Sequence, residues 1–94
     1  MSERHIAVVP VSSVDHSTTD ALAYARQVAS EVIAVSTDRH MERLWRENGP
    51  TLPLIIVEAA DGDRTAAIHR AVAVLERTEQ PAQVTLVVPL GYSW

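Results

Sequence analysis

Four short aliphatic runs alternate along the chain with three segments of helical periodicity. The runs are residues 6–9, 32–35, 53–57 and 84–88, and they contain almost no polar side chains. Continuous Val, Ile and Leu runs are typical of parallel strands that helices cover on both faces. We predict residues 6–9 as the first and central strand, with pairing ending at Pro10 because proline cannot donate to a ladder.

Each helical segment has a predicted start and one apolar side. The first helix is predicted at residues 20–30, after a start that resembles a capping box of Ser17 with Asp20. The second, at residues 39–48, follows Asp38, a good cap, and stops at Gly49–Pro50. The third, at residues 64–78, follows a turn through residues 58–63. The predicted inward-facing positions are Leu22, Ala25, Val28 and Ala29, then Met41, Leu44, Trp45 and Asn48, then Ile68, Ala71, Val72 and Leu75.

The order of elements is therefore βαβαβαβ. Crossovers of this length require parallel strands and right-handed connections. We predict an α/β fold, an open and mostly parallel four-stranded sheet with helices on both faces. Ligands of such sheets bind beyond the carboxyl ends of the strands, beside the first strand. The loop after residue 11 is thus the first place to look for a site.

Composition narrows the class of protein. The chain has 94 residues, which indicates a single domain, 1–94, with residues 90–94 as a short aromatic tail. A net charge of −4 with eight Lys and Arg residues argues against a nucleic-acid surface. There is no cysteine, so thiol chemistry is excluded and a reducing, cytoplasmic location is expected. No apolar run reaches the roughly 20 residues of a membrane span.

Polar residues follow the strand ends and form the candidate site. Ser12, Ser13 and Ser36 could donate to a phosphate next to a helix N-terminus, or could equally cap helices. Val11 and Val35 precede them and complete the predicted strand ends. Arg64 could pair with a ligand phosphate, or with Asp61 or Asp63.

Other groups of polar and aromatic residues give less evidence for a ligand site. Asp15 and His16 lack a nucleophile or oxyanion hole nearby in sequence, so we expect no enzyme. The histidines 5, 40 and 69 lack ligand spacing, and residues 61–63 lack the remainder of a calcium loop, so no metal site is expected. Tyr92 and Trp94 in the short tail favour docking to a partner.

Three segments resemble a known family. They are residues 7–12 (AVVPVS), residues 21–26 (ALAYAR) running into 31–35 (EVIAV), and Trp45 with 57–58 and 63–64. Together they are similar to the cytosolic C-terminal domain of bacterial permeases of the amino acid-polyamine-organocation superfamily, especially its potassium importers. The resemblance implies a universal-stress-protein fold with strand order 3-2-1-4. ATP-binding members of that fold carry an acidic residue soon after strand one, where this chain has Ser12 and Ser13.

The resemblance also implies a function. It implies a regulatory domain at the cytoplasmic face of the inner membrane, attached to the transmembrane part of an amino acid or potassium permease. It further implies a homodimer and a nucleotide ligand, ATP or cyclic di-AMP. A freestanding universal-stress-type nucleotide-binding protein is the alternative. An enzyme on a flavodoxin-like scaffold is a third hypothesis. A transmembrane stretch encoded upstream of Met1 would decide between the first two.

Overall fold

The computed structural model describes residues 4–48, 51–59, 62–78 and 82–90, with four strands and three helices. The strands are β1 (Arg4–Pro10), β2 (Glu31–Ser36), β3 (Leu54–Ile56) and β4 (Ala82–Leu86). The helices are α1 (His16–Val28), α2 (His40–Asn48) and α3 (Arg64–Thr78). The predicted order of elements is confirmed. The helix stop predicted at Gly49–Pro50, residues 79–81 and the predicted aromatic tail at 91–94 lie outside the described residues.

The sheet is parallel, as the sequence predicted, and its order is β3-β2-β1-β4, as the family resemblance implied. Val8 in β1 lies opposite Ile33 on one side and Leu86 on the other. The Val11 N–H bonds to the Val35 carbonyl at 2.8 Å, so the peptide nitrogen of Pro10 faces β4 instead. The missing N–H of Pro10 therefore falls where the β1–β4 ladder ends, as predicted. Pairing with β2, however, includes Pro10 and continues to the Val11 N–H.

β1 is buried on both faces, which explains its unbroken aliphatic run. Ala7 and Val9 face a core formed with α1 and α2, whereas Ile6 and Val8 face a second core formed with α3. These four side chains are at most 1% exposed. Two cores that share one strand place α1 and α2 on one face of the sheet and α3 on the other.

α1 begins four residues before the predicted start, so the proposed Ser17–Asp20 capping pattern is wrong. The N-cap is Asp15, whose Oδ1 accepts the N–H of Thr18 at 3.0 Å. Aspartate is among the strongest N-cap residues, and the cap places Thr18 and Ala21 in the buried stripe with Leu22 and Ala25. The later positions that we predicted to be inward-facing, Val28 and Ala29, are only half-buried.

α2 and α3 are close to prediction. Asp38 accepts the N–H of His40 at 2.9 Å and so caps α2 as expected. Met41 and Trp45 are buried, but Leu44 is 44% exposed, which corrects its predicted inward position. Met41 and Trp45 are four positions apart and share the buried face of α2, whereas Leu44 is turned about 100° from Trp45 around the helix.

α3 has the predicted bounds. Asp63 caps it by accepting the N–H of Ala66 at 3.0 Å, and Gly62 before it takes a φ of +74°. Glycine adopts that left-handed conformation at little cost, so the turn out of β3 depends on it. Ile68 is fully buried against β1.

Candidate functional site

The loop after β1 lies at the carboxyl edge of the sheet, between the ends of β2 and β4. Ser12 is exposed and Ser13 is half-buried in this loop. Because the strand order reverses beside β1, this is the expected position for a ligand in an open α/β sheet.

A hydrogen-bond network ties Ser13 to the start of α1. The Ser13 hydroxyl donates to Asp15 Oδ2 at 2.8 Å, and Thr18 Oγ1 donates to the Ser13 carbonyl at 2.9 Å. The Thr18 backbone N–H, followed by the Ser13 hydroxyl, lowers the pKa of the Asp15 carboxyl below its ordinary value. Ser13 thus serves the helix cap, and the loop already holds an anion.

The end of β2 is less accessible than expected. Val11 and Val35 are 1% and 0% exposed, and they meet through the hydrogen bond that continues the ladder. Ser36 is 1% exposed, and its Oγ accepts the N–H of Asp38 at 3.1 Å. The hydroxyl of Ser36 therefore supports the turn into α2, which is the capping alternative left open by the sequence.

Arg64 lies at the first position of α3 and is exposed. The predicted partner Asp61 lies outside the described residues, whereas the Asp63 carboxylate is directed to the Ala66 N–H. Among the described residues, no hydrogen bond joins Arg64 to Ser12, Ser13 or Ser36. The structure thus brings Val11, Ser12, Ser13, Val35 and Ser36 to adjacent strand ends, and Arg64 stays a separate prediction.

A groove between α1 and β4 was not anticipated. Its volume is about 560 Å³, within the range of about 300–1,000 Å³ that ligand pockets occupy. The lining residues are Ser17, Asp20, Ala21 and Tyr24 of α1 and residues 85–90 at the end of β4. We call this surface the α1–β4 groove. Tyr24, an aromatic residue outside the buried stripe of α1, is a sequence signal that could have indicated it.

A much smaller hollow of about 30 Å³ adjoins the groove and is lined by Ser12, Ser13 and Asp15. It shares Ser17, Pro89 and Leu90 with the groove. A space of this size holds about one water molecule. The hollow itself therefore cannot contain a nucleotide base, and a larger ligand would have to extend into the groove or onto the exposed surface at Ser12.

The described part of the chain contains no group of three or more His, Asp or Glu side chains that could hold a metal ion. Within the same ranges, none of the three helices is long and apolar enough to cross a membrane. Asp15 and His16 do not act as a pair, because the Asp15 carboxylate is occupied as the α1 cap.

Comparison with known proteins identifies a family. Residues 3–92 match the family model for the C-terminal domain of the KimA potassium transporter. No curated protein sequence matches the chain at a significant level. The match spans all four strands and all three helices, so it concerns the whole fold rather than a local motif.

Proposed function

We propose, because this chain belongs to the family of KimA potassium transporter C-terminal domains, that it is a cytosolic domain that regulates potassium transport. The match over residues 3–92 is the observation that carries the proposal. A transporter domain of this family is attached to a transmembrane part. We assign to the domain the role of regulating that part by binding, without catalysing a reaction.

Two features support regulation by binding. The polar groups at the strand ends serve helix caps: Asp15 caps α1 and Ser36 supports the turn into α2. Conversely, the α1–β4 groove exposes apolar side chains, which is typical of a surface that meets a partner. The arrangement suits recognition better than bond making.

Self-association belongs to this proposal. In the described residues β4 pairs only with β1, so β4 forms one edge of the sheet. The Val87 N–H bonds to the Val8 carbonyl, and the alternation of peptide groups directs the backbone of Val84, Leu86 and Val88 outward. An open edge of this kind is a template for pairing with a second copy.

Nucleotide sensing is a second candidate function. Ser12 presents an exposed hydroxyl at the strand end beside which the sheet order reverses, where open α/β sheets bind their ligands. ATP or cyclic di-AMP bound there would have to keep its phosphates away from the Asp15 carboxylate. Such a ligand would lie over Ser12 and the buried ends of β1 and β2. Arg64, the cation that the sequence suggested, lies at the start of α3.

The finer resemblance is proposed in the same terms. The strand order β3-β2-β1-β4 supports a universal-stress-protein-like domain. Attachment to a permease of the amino acid-polyamine-organocation superfamily agrees with a potassium transporter family.

Protease protection tests the location and the attachment together. The product of the complete gene is expressed with an epitope inserted before Thr51, an exposed residue between α2 and β3. We expect the epitope in the membrane fraction, cut by added protease in inverted vesicles and protected in right-side-out vesicles. An epitope found in the soluble fraction would favour the freestanding alternative, and one cut only in right-side-out vesicles would contradict the cytosolic location.

A further inference from the structure

The α1–β4 groove concentrates exposed apolar surface. The described residues include six large apolar side chains with substantial exposure, and three of them line this groove: Tyr24 at 57%, Val88 at 38% and Leu90 at 87%. The other three are scattered over α2, β3 and α3. Single exposed apolar residues are ordinary, but a contiguous set beside a concavity indicates a binding surface.

The charge of the groove has one sign. Asp20 is the only charged side chain among its lining residues, and Asp15 lies in the adjoining hollow. No lysine, arginine or histidine lines either space. An apolar wall with Asp20 in its lining and Asp15 in the adjoining hollow complements a partner that is apolar on one side and positively charged on the other.

The same charges disfavour other occupants. A phosphate group or an anionic membrane surface would meet two carboxylates without a compensating cation. A second copy of this chain carries a net charge of −4, so its approach to the groove is also opposed. We infer that the α1–β4 groove binds a basic amphipathic helix.

The transporter itself can supply such a segment, and this step rests on the function proposed above. Cytoplasmic segments next to membrane spans carry an excess of lysine and arginine. A helix of that kind would place its apolar side against Tyr24, Val88 and Leu90 and its cations beside Asp20. Binding would hold the domain near the membrane part and give it a position from which to influence transport.

Fluorescence anisotropy with a synthetic probe tests the inference. The probe is a labelled helical peptide of leucine and lysine, with all lysines on one face. The control peptide carries glutamate in place of lysine. We expect the lysine peptide to bind the chain, the glutamate peptide to fail, and binding to weaken as salt is raised.

Substitutions locate the site. We expect Asp20→Lys to raise the Kd of the lysine peptide about five- to tenfold, because it reverses a charge at the rim. Tyr24→Ala should raise it at least about fivefold, since buried aromatic residues anchor interfaces. The matched controls are Glu76→Lys on α3 and Leu44→Ala on α2, both exposed and distant in sequence from the groove. Equal affinity in all four variants would overturn the assignment.

Two rival occupants are part of the same test. If removal of residues 91–94 raises the affinity about tenfold or more, the chain's own end occupies the groove. If Tyr24→Ala reduces self-association in sedimentation, a second copy occupies it. Either result overturns the inference. Failure of the domain to affect potassium uptake would instead contradict the proposed function and leave the peptide measurements standing.

Discussion

The hydroxyl of Ser13 donates to the carboxylate of Asp15 across 2.8 Å, at the strand end where an anionic ligand was predicted to bind. The loop after β1 therefore supplies its own anion to the N-terminus of α1. Any ligand at Ser12 therefore has to accommodate the Asp15 carboxylate. The donors that an anionic ligand would use there, the Ser13 hydroxyl and the Thr18 N–H, already bind Asp15.

The first prediction concerns acid stability and Asp15. Its folded-state pKa is lowered by the Thr18 N–H and the Ser13 hydroxyl, so its stabilisation is fully present above the unfolded pKa near 3.8. That stabilisation is lost as the pH falls through the lowered folded value. We expect Asp15→Asn to reduce the pH dependence of the free energy of unfolding between about pH 5 and pH 3.

Urea unfolding at a series of pH values measures this effect. Asp20→Asn removes an exposed carboxylate from the same helix without touching the cap and is the matched control. The control should retain more of the pH dependence than Asp15→Asn. Identical pH profiles for the two variants would show that the cap does not favour the ionised form of Asp15 over the protonated form.

A second prediction concerns Trp45, which joins α2 to the segment before β3. Its indole Nε1–H donates to the Leu52 carbonyl at 2.9 Å, and the side chain is 6% exposed. Trp45→Phe should lower the free energy of unfolding by about 1–3 kcal/mol, because the half-buried carbonyl loses its donor. Trp45→Ala should cost about 3–5 kcal/mol through the cavity that it leaves.

Chemical denaturation of the purified chain measures both losses. Leu44→Ala, on the same helix but exposed, should change stability by only about 0.5 kcal/mol. A loss for Trp45→Phe no larger than that of Leu44→Ala would mean that the hydrogen bond to Leu52 contributes nothing.

The fold was predictable because its signals are local. The bounds of α3 follow from Asp63 and the regular spacing of Ile68, Ala71, Val72 and Leu75. The start of α1 was harder, because both Asp15 and Ser17 are good caps and only the burial of Thr18 in the folded chain selects Asp15. Burial of Thr18 is a tertiary effect that periodicity within one helix does not reveal.

The groove was beyond sequence reasoning for a related reason. Tyr24 and Val88 are 64 positions apart in the sequence and line the same groove only because β4 pairs beside β1. The burial of Ser36 was missed because a hydroxyl at a strand end is equally suited to a ligand and to a turn. The site residues at the strand ends were placed on the expected edge, but their chemical roles depended on partners that only the structure identifies.

A third prediction addresses self-association through β4. We expect sedimentation velocity to show a concentration-dependent dimer. We expect Gln83→Lys, at an exposed position of β4 outside the groove, to shift it to monomer because a lysine at the exposed edge opposes pairing. Ile55→Lys makes the same change on β3, at the other edge of the sheet. If Ile55→Lys dissociates the dimer and Gln83→Lys does not, self-association uses the β3 edge.

A fourth prediction addresses nucleotide binding. Thermal shift with ATP and cyclic di-AMP should detect a ligand, since binding at a hundredfold excess over Kd stabilises by about 2.7 kcal/mol. Arg64→Ala should then weaken binding by about 1.5–3 kcal/mol if Arg64 contacts a phosphate. Its effect on stability should stay within about 1 kcal/mol.

Ser12→Asp provides an independent test at the strand end. It adds a second carboxylate beside Asp15 and should lower the affinity for either nucleotide, whereas Ser12→Ala should leave stability nearly unchanged because Ser12 is exposed. A measurable nucleotide affinity that neither Ser12→Asp nor Arg64→Ala alters would place the binding site elsewhere on the domain.

Potassium uptake by the transporter that carries this domain tests the central claim most directly. Uptake is measured per transporter molecule in cells without other potassium importers, for the complete protein and for a form that lacks residues 3–92. We expect the rate of uptake to change when the domain is removed, while potassium selectivity, a property of the membrane part, is retained. Equal uptake rates at equal membrane abundance would contradict a regulatory role.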